Sequence, residues 1–346
     1  MAGLNSTLFS LVDATKVLKP DGTPETKIAE LLAQTNPMLQ DIPWKEGNLA
    51  TGERITIRTG YPTGVWRKFN VGVPNSKSTN AQVDETCAMY EQKGQIDKDL
   101  AMLNGATSEF RLIENMAHIE AMNIDMAQAL FYSDPSQPEK FVGLTPRYSS
   151  TTAGNGQNVL LAGGAQSDNT SIWLLGFGEI GVYGIYPKGS QGGLKHTPVQ
   201  DGTGDGCTEV LDENGNTYRA YVDRYQWKCG VAVKDWRYAV RIANIDLSDL
   251  LGLTGTQALT ASTNIIKMMS RAIDRIPSPS GVKLAFYMSR SVFSALKLMA
   301  LEKSSSALSI EDAIGQFGGI GGKELKFLGL PVRLSDGLSH GEALVS

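Results

Sequence analysis

Residues 105–132 read GATSEFRLIENMAHIEAMNIDMAQALFY, and the spacing of their apolar side chains decides the fold. Phe110, Ile113, Ala117, Ala121, Ile124, Ala127 and Phe131 recur three and four positions apart. Leu112, Met116, Ile119, Met122, Met126 and Leu130 form a second, adjacent stripe. Together they predict one helix with a wide apolar face. Thr107 and Ser108 can cap its start, and Ser133-Asp134-Pro135 ends it. At 1.5 Å per residue such a helix is about 40 Å long. Glycine and proline are absent from its interior, so it should be stiff.

On the amino-terminal side, residues 49–90 form few helical patterns. Arg54-Ile-Thr-Ile-Arg58 alternates with period 2 and reads as a strand. Thr59 to Gly64 is a turn, Val65 to Phe69 follows, and a second extended run spans Thr79 to Tyr90. The polar, turn-rich Gly72–Ser78 lies between them. A lone two-stranded excursion is marginal in water, so it should lie on something else. Further back, residues 26–35 suggest a short helix with Ile28, Leu31 and Leu32 on one face. One short helix cannot bury that stripe alone.

On the carboxyl-terminal side, residues 170–187 read as glycine-punctuated strands. Residues 188–216 read as an exposed insertion loop with an expected type I′ turn at Asn214-Gly215. Tyr218 to Ile245 has the alternation of a long strand pair. Residues 256–276 and 289–303 read as amphipathic helices around a short apolar strand at 282–288. Glycines at 315, 318, 319, 321 and 322 mark a loop, and Lys326–Leu334 a closing strand or hairpin.

The net charge of −4 gives no basic excess of the kind a dedicated nucleic-acid binder carries. Cys87, Cys207 and Cys229 are an odd, scattered set without CxxC spacing, which reads as reduced thiols. The first residues lack the pattern of a signal peptide, and no run approaches the length of a membrane span. An aqueous, reducing compartment is expected.

Two motifs suggest chemistry. Gly176-Phe-Gly178-Glu-Ile-Gly181 matches GxGxxG, but a dinucleotide site needs a helix to begin there, and Val182–Pro187 reads as strand. Asp201, Thr203, Asp205, Glu209 and Asp212 give a loose calcium-loop spacing with Gly206 at position six. Aspartate stands where that loop carries glutamate, and helical flanks are missing, so an exposed hairpin loop is the plainer reading. His118, His196 and His340 are scattered, and His118 reads as a surface pair with Glu114. No catalytic residue or cofactor is assigned. Arg54, Arg58, Arg67, Lys68 and Lys77 concentrate positive charge on the 50–80 excursion, beside Trp66 and Phe69. This charge reads either as a solvated hairpin face or as a contact arm meeting an acidic surface on a neighbouring subunit, and the excursion's thin core favours the second.

The order of arm, long two-stranded loop, stiff helix and Gly143-Leu144 turn resembles the HK97-like major capsid proteins of tailed bacteriophages. The runs Asn48-Leu-Ala-Thr-Gly-Glu-Arg54 through Trp66, Ser76-Lys-Ser-Thr79, Ile96-Asp-Lys-Asp-Leu100 and Lys234-Asp-Trp-Arg-Tyr-Ala-Val-Arg-Ile-Ala-Asn244 are similar to a subgroup of these proteins. The resemblance implies an α+β fold. Residues 1–48 would be the N-terminal arm, 49–90 the E-loop, 91–250 the P domain with spine helix 105–132, and 251–346 largely the A domain. The element order departs from the usual one, because the helices and Gly329-Leu-Pro-Val332 come last, which implies a rearranged connectivity. The interface residues would be Arg54, Arg58, Trp66, Arg67, Lys68, Phe69 and Lys77 on the loop, and Ile28, Leu31 and Leu32 on the arm.

Functionally, the resemblance implies a structural, non-enzymatic subunit that assembles in the bacterial host cytoplasm and resides in the virion. Hexamers and pentamers would build an icosahedral shell around double-stranded DNA contacted non-specifically. Scaffolding, portal and decoration proteins are the further partners, with no membrane. A built-in scaffold of about 100 residues is missing from the start, which implies a separate scaffolding protein. The competing reading is a cytosolic ligand-binding protein or enzyme using the glycine-rich 176–206 region.

Overall fold

The computed structural model describes residues 35–102, 107–164, 167–251, 256–301, 308–312 and 323–346. In chain order its elements are α1 (Met38–Asp41), β1 (Trp44–Glu46), β2 (Gly52–Gly60), β3 (Thr79–Thr86), β4 (Ala88–Asp97), α2 (Lys98–Ala101) and α3 (Thr107–Tyr132). There follow α4 (Leu144–Arg147), β5 (Val159–Leu161), β6 (Asn169–Phe177), β7 (Val182–Tyr186), β8 (Leu194–Val199), β9 (Thr208–Leu211) and β10 (Thr217–Val233). The last are β11 (Ala239–Asp246), α5 (Leu247–Leu251), α6 (Thr256–Asp274), β12 (Lys283–Met288), α7 (Arg290–Leu301), β13 (Leu308–Asp312), β14 (Lys323–Phe327) and β15 (Leu330–Leu334). The helix predicted over 105–132 therefore starts at Thr107 and ends at Tyr132.

The described chain divides into two compact units that interleave in sequence. One comprises residues 89–126 and 191–228. Here β4 pairs with β10, β8 runs antiparallel to Val222–Trp227, and β9 antiparallel to Thr217–Ala220. The stretch 188–216 is thus not simply a loop, because the β-branched and apolar residues of β8 and β9 find ladder partners on β10. Tyr225, fully buried, is sandwiched by His196 and His118, with ring centroids 4.9 and 5.9 Å away. His118 is therefore more than a surface partner of Glu114. Arg111 of α3 and His196 of β8 both hold the buried Asp223, at 3.0 and 2.8 Å. Of the second apolar stripe on α3, Met122 and Met126 are buried while Leu112, Met116 and Ile119 are exposed.

The other unit comprises residues 35–88, 127–190 and 229–346. Its centre is β6, buried along its whole length, antiparallel to β11 and β12, with β15 parallel to β12 and β5 parallel to β11. A strand covered on both faces should be continuously apolar rather than alternating, as Ile172–Leu175 is. On one face Ile172, Leu174, Val240, Ile242 and Phe286 pack against Ile265 and Met269 of α6 and Val292 and Leu296 of α7. On the other, Trp173 meets Phe131 and, edge-on at 5.7 Å, Tyr148. The carboxyl-terminal helices α6 and α7 cover the apolar face of β6 and β11 and pack in the same unit.

One turn differs from expectation and another falls within the expected closing hairpin. Asn214-Gly215 does not form a type I′ turn, since only Gly215 has positive φ, at 84°. Asp212 instead accepts hydrogen bonds from the amides of Asn214 and Asn216, which closes a longer loop. The two-residue turn with positive φ at both positions is Leu328-Gly329, at 48° and 82°, between β14 and β15.

Candidate subunit interface

Strands β2 and β3 form a two-stranded hairpin with Gly52 opposite Thr86 and Gly60 opposite Thr79. Its root is packed and its tip is not. Ile55 is buried with Tyr183, Ile185 and Ala232. Gly52 is required at the root, because a Cβ there would lie 1.9 Å from the Glu85 carbonyl oxygen. Beyond Gly60, every residue from 61 to 77 is exposed. Trp66 and Phe69 are 101% and 94% exposed, and Tyr61, Val65, Val71 and Val73 are open as well. Burying such side chains is worth about 1.5–3 kcal/mol each, so their exposure in one run calls for a partner.

Beyond its root the hairpin carries charge of one sign. Between Ile55 and Val83 stand Arg58, Arg67, Lys68 and Lys77 and no aspartate or glutamate. Among the described residues no carboxylate pairs with any of the four. Arg54 is different: its Nε and Nη2 donate to Asp84 of the facing strand at 2.6 and 2.7 Å. That hydrogen bond holds the Asp84 carboxyl below the usual carboxylate range. The structure thus separates Arg54, engaged within the hairpin, from the four open cations, and brings Trp66, Arg67, Lys68 and Phe69 together at the tip.

At the root, Glu53 and Glu85 are cross-strand partners and both are buried. Glu53 is paired with Lys45 of β1 at 3.1 Å. Glu85 takes a two-pronged bond from Arg147, at 2.5 and 2.6 Å. Burial, with Glu53 and Glu85 beside it, holds the Tyr183 phenol above its usual range. Burial and then Glu53 push the Cys87 thiol up to about 12, so it is a poor nucleophile. None of these four charged residues stood out in the sequence, because the partners are far apart along the chain and no spacing rule links them.

The remaining predicted sites resolve as follows. Ile28, Leu31 and Leu32 lie outside the described residues. Asp201 and Asp205 surround Arg219, at 3.0 and 2.8 Å, and Asp205 also holds Lys98 at 2.9 Å. The Arg219 hydrogen bond, then that of Lys98, keeps the Asp205 carboxyl well below its usual range. Asp212 caps its turn, and Glu209 lies opposite Arg219 on β9. The chain's own cations thus occupy the acidic loop, and among the described residues no three His, Cys, Asp or Glu side chains are grouped to hold a metal. Gly176–Gly181 leads from β6 straight into β7, so the turn opens a strand and not a helix.

With the fold and the hairpin's apolar, cationic, uncovered tip described, the chain can be compared with known proteins. The chain aligns with a chain from the structure of bacteriophage Epsilon15 at 28% identity and a TM-score of 0.70, covering 97% of both. The capsid of bacteriophage JBD30 aligns at 8% identity and a TM-score of 0.46, over 90% of this chain and 94% of that one. The capsid of the native GTA particle aligns at 9% and 0.44, over 66% and 95%. No curated protein matches the chain. The family profile of major capsid protein GP7 matches residues 19–346.

The chain belongs to the major capsid protein GP7 family. It is a structural subunit of a phage capsid with the HK97-like fold, it builds shells with copies of itself, and its place is the virion. The competing ligand-binding or enzymatic reading of residues 176–206 finds no support in the family or in the strand–turn–strand geometry there.

Proposed function

We propose that residues 49–90 act as the E-loop, whose tip docks Trp66 and Phe69, flanked by Arg58, Arg67, Lys68 and Lys77, on an acidic, apolar surface of a neighbouring copy. Helix α3 is the spine of the P domain, and α6 and α7 belong to the A domain. Copies joined in this way make hexamers and pentamers of an icosahedral shell around double-stranded DNA. Assembly takes place in the host cytoplasm with a separate scaffolding protein and a portal, and the finished shell offers decoration proteins an outer surface. The uncovered run from 61 to 77 carries this reading. Aromatic residues and arginine are the side chains that most often dominate protein interfaces, and many weak repeated contacts sum through multivalency.

The test removes the tip but spares Ile55, which belongs to the core. Residues 61–78 are replaced by Asn-Gly, a two-residue turn suited to joining Gly60 and Thr79. A folded, soluble subunit that makes no shells is expected by size-exclusion chromatography and negative-stain microscopy. Normal shells from this variant would refute the docking role of the tip.

A further inference from the structure

The root of the hairpin contains an arrangement that stability alone does not require. Glu53 and Glu85 face each other across β2 and β3, and both are buried. Like charges placed directly opposite destabilise a strand pair, and a buried carboxylate needs a counter-charge. Each has its own. Lys45 serves Glu53 as a point charge, with its Nζ also 5.3 Å from the Tyr183 ring centroid. Arg147 serves Glu85 with a planar fork.

Arg147 does more than neutralise. Its Nε donates to the Gly143 carbonyl at 3.2 Å, and its Nη2 to the carbonyls of Val142 and Val231 at 3.1 and 3.3 Å. One guanidinium therefore holds three separate pieces of chain: the hairpin root at Glu85, the turn that follows α3, and β10. A side chain with fewer donors, or with no fixed plane, cannot hold all three in one geometry. Because the hairpin has no packed core beyond its root, the direction in which it leaves the body is set here.

We propose that Arg147 is a positioning residue for assembly: by fixing the exit direction of the hairpin it sets the angle at which neighbouring copies join, and so the size of the closed shell. This rests on the docking role of the tip. The same unit contains a second buried pair, Arg241 with Glu342, at 2.8 Å. Its bonds run to Ser171 and the Tyr148 carbonyl and do not involve the hairpin. It is an internal comparator of the same chemistry.

The experiment uses the full chain and two double variants, Arg147→Met with Glu85→Leu, and Arg241→Met with Glu342→Leu. Replacing both members of a buried pair with apolar residues is often neutral for folding, so both should give folded subunits. Folding is checked by circular dichroism and particle diameter by electron microscopy. The first variant is expected to lose the single size class and give mixed shells and open sheets. The single variant Arg147→Lys, which keeps the charge but loses the fork, should fall between it and the parent. The comparator should keep the parent's diameter. Uniform shells of parental diameter from the first variant overturn the proposal. The tip deletion separates the two ideas: if that deletion abolishes shells while the Arg147 variant stays uniform, only the positioning role falls. If the deletion makes normal shells, both fall.

Discussion

Glu342→Gln is expected to lower the stability of the subunit by about 3–5 kcal/mol, the range for a buried ion pair stripped of one partner. Arg241 is 2% exposed and Glu342 4%, so neither side chain can turn to water for compensation. Nε of Arg241 donates to Ser171 at 3.0 Å, Nη1 to the Tyr148 carbonyl at 2.9 Å, and Nη2 to Glu342 at 2.8 Å. The guanidinium also lies 5.6 Å from the Trp173 ring centroid. Glu342 in turn accepts from the hydroxyls of Tyr132 and Ser171, and Tyr132 accepts from the amide of Ser339. Burial, and then the Glu342 charge, hold the Tyr132 phenol well above its usual range, so it remains a donor.

The glutamine variant keeps the shape but leaves the cation uncompensated. The network joins β6, β11, the end of α3 and the segment 338–346, so its loss should loosen all four together. Thermal unfolding should shift down by roughly 5–10 °C. Recovery in the Arg241→Met, Glu342→Leu double variant would confirm that the unpaired charge is responsible. A shift below about 1 kcal/mol for Glu342→Gln would show that water or rearrangement already serves Arg241, contrary to its burial.

The second large effect leaves stability alone. Trp66→Ala with Phe69→Ala should change unfolding by less than about 0.5 kcal/mol, as surface substitutions without internal contacts do. Assembly should suffer far more. If each aromatic is a dominant contact, its loss costs about 2 kcal/mol, roughly thirtyfold in the affinity of one junction. Every junction in the shell carries the same loss, so the concentration needed for assembly, followed by light scattering, should rise by more than that factor. Unchanged assembly would place the interface elsewhere.

How much of this was legible in the sequence differs by element. Helix α3 was, because a 3.6-residue period over seven turns has no competing reading, and the hairpin was, because Arg54–Arg58 alternates and Thr59–Gly64 breaks it. The exposed Trp66 and Phe69 could be suspected from the poverty of apolar partners around them. The root was hidden. Glu85 and Arg147 are 62 positions apart, Arg241 and Glu342 101, and neither pair leaves a local signature. Arg241 reads as one polar member of an alternating strand, and only the closure of β11 on β6 shows it to be interior. The interleaving of the two units was illegible for the same reason. Strand partners such as β6 and β12 are chosen by the fit of apolar faces over long sequence distances. Asp212 overrode the turn preference of Asn214-Gly215 by capping two amides at once, an outcome that depends on side-chain geometry and not on the dipeptide.

The most direct measurement is a cryo-electron microscopy reconstruction of the assembled shell at side-chain resolution, compared with the subunit described above. Trp66 and Phe69, open to solvent in the single chain, should be buried against another copy, with acidic side chains of that copy near Arg67 and Lys68. A shell in which both rings still face solvent, or fold back onto their own chain, would contradict the role given to the hairpin tip.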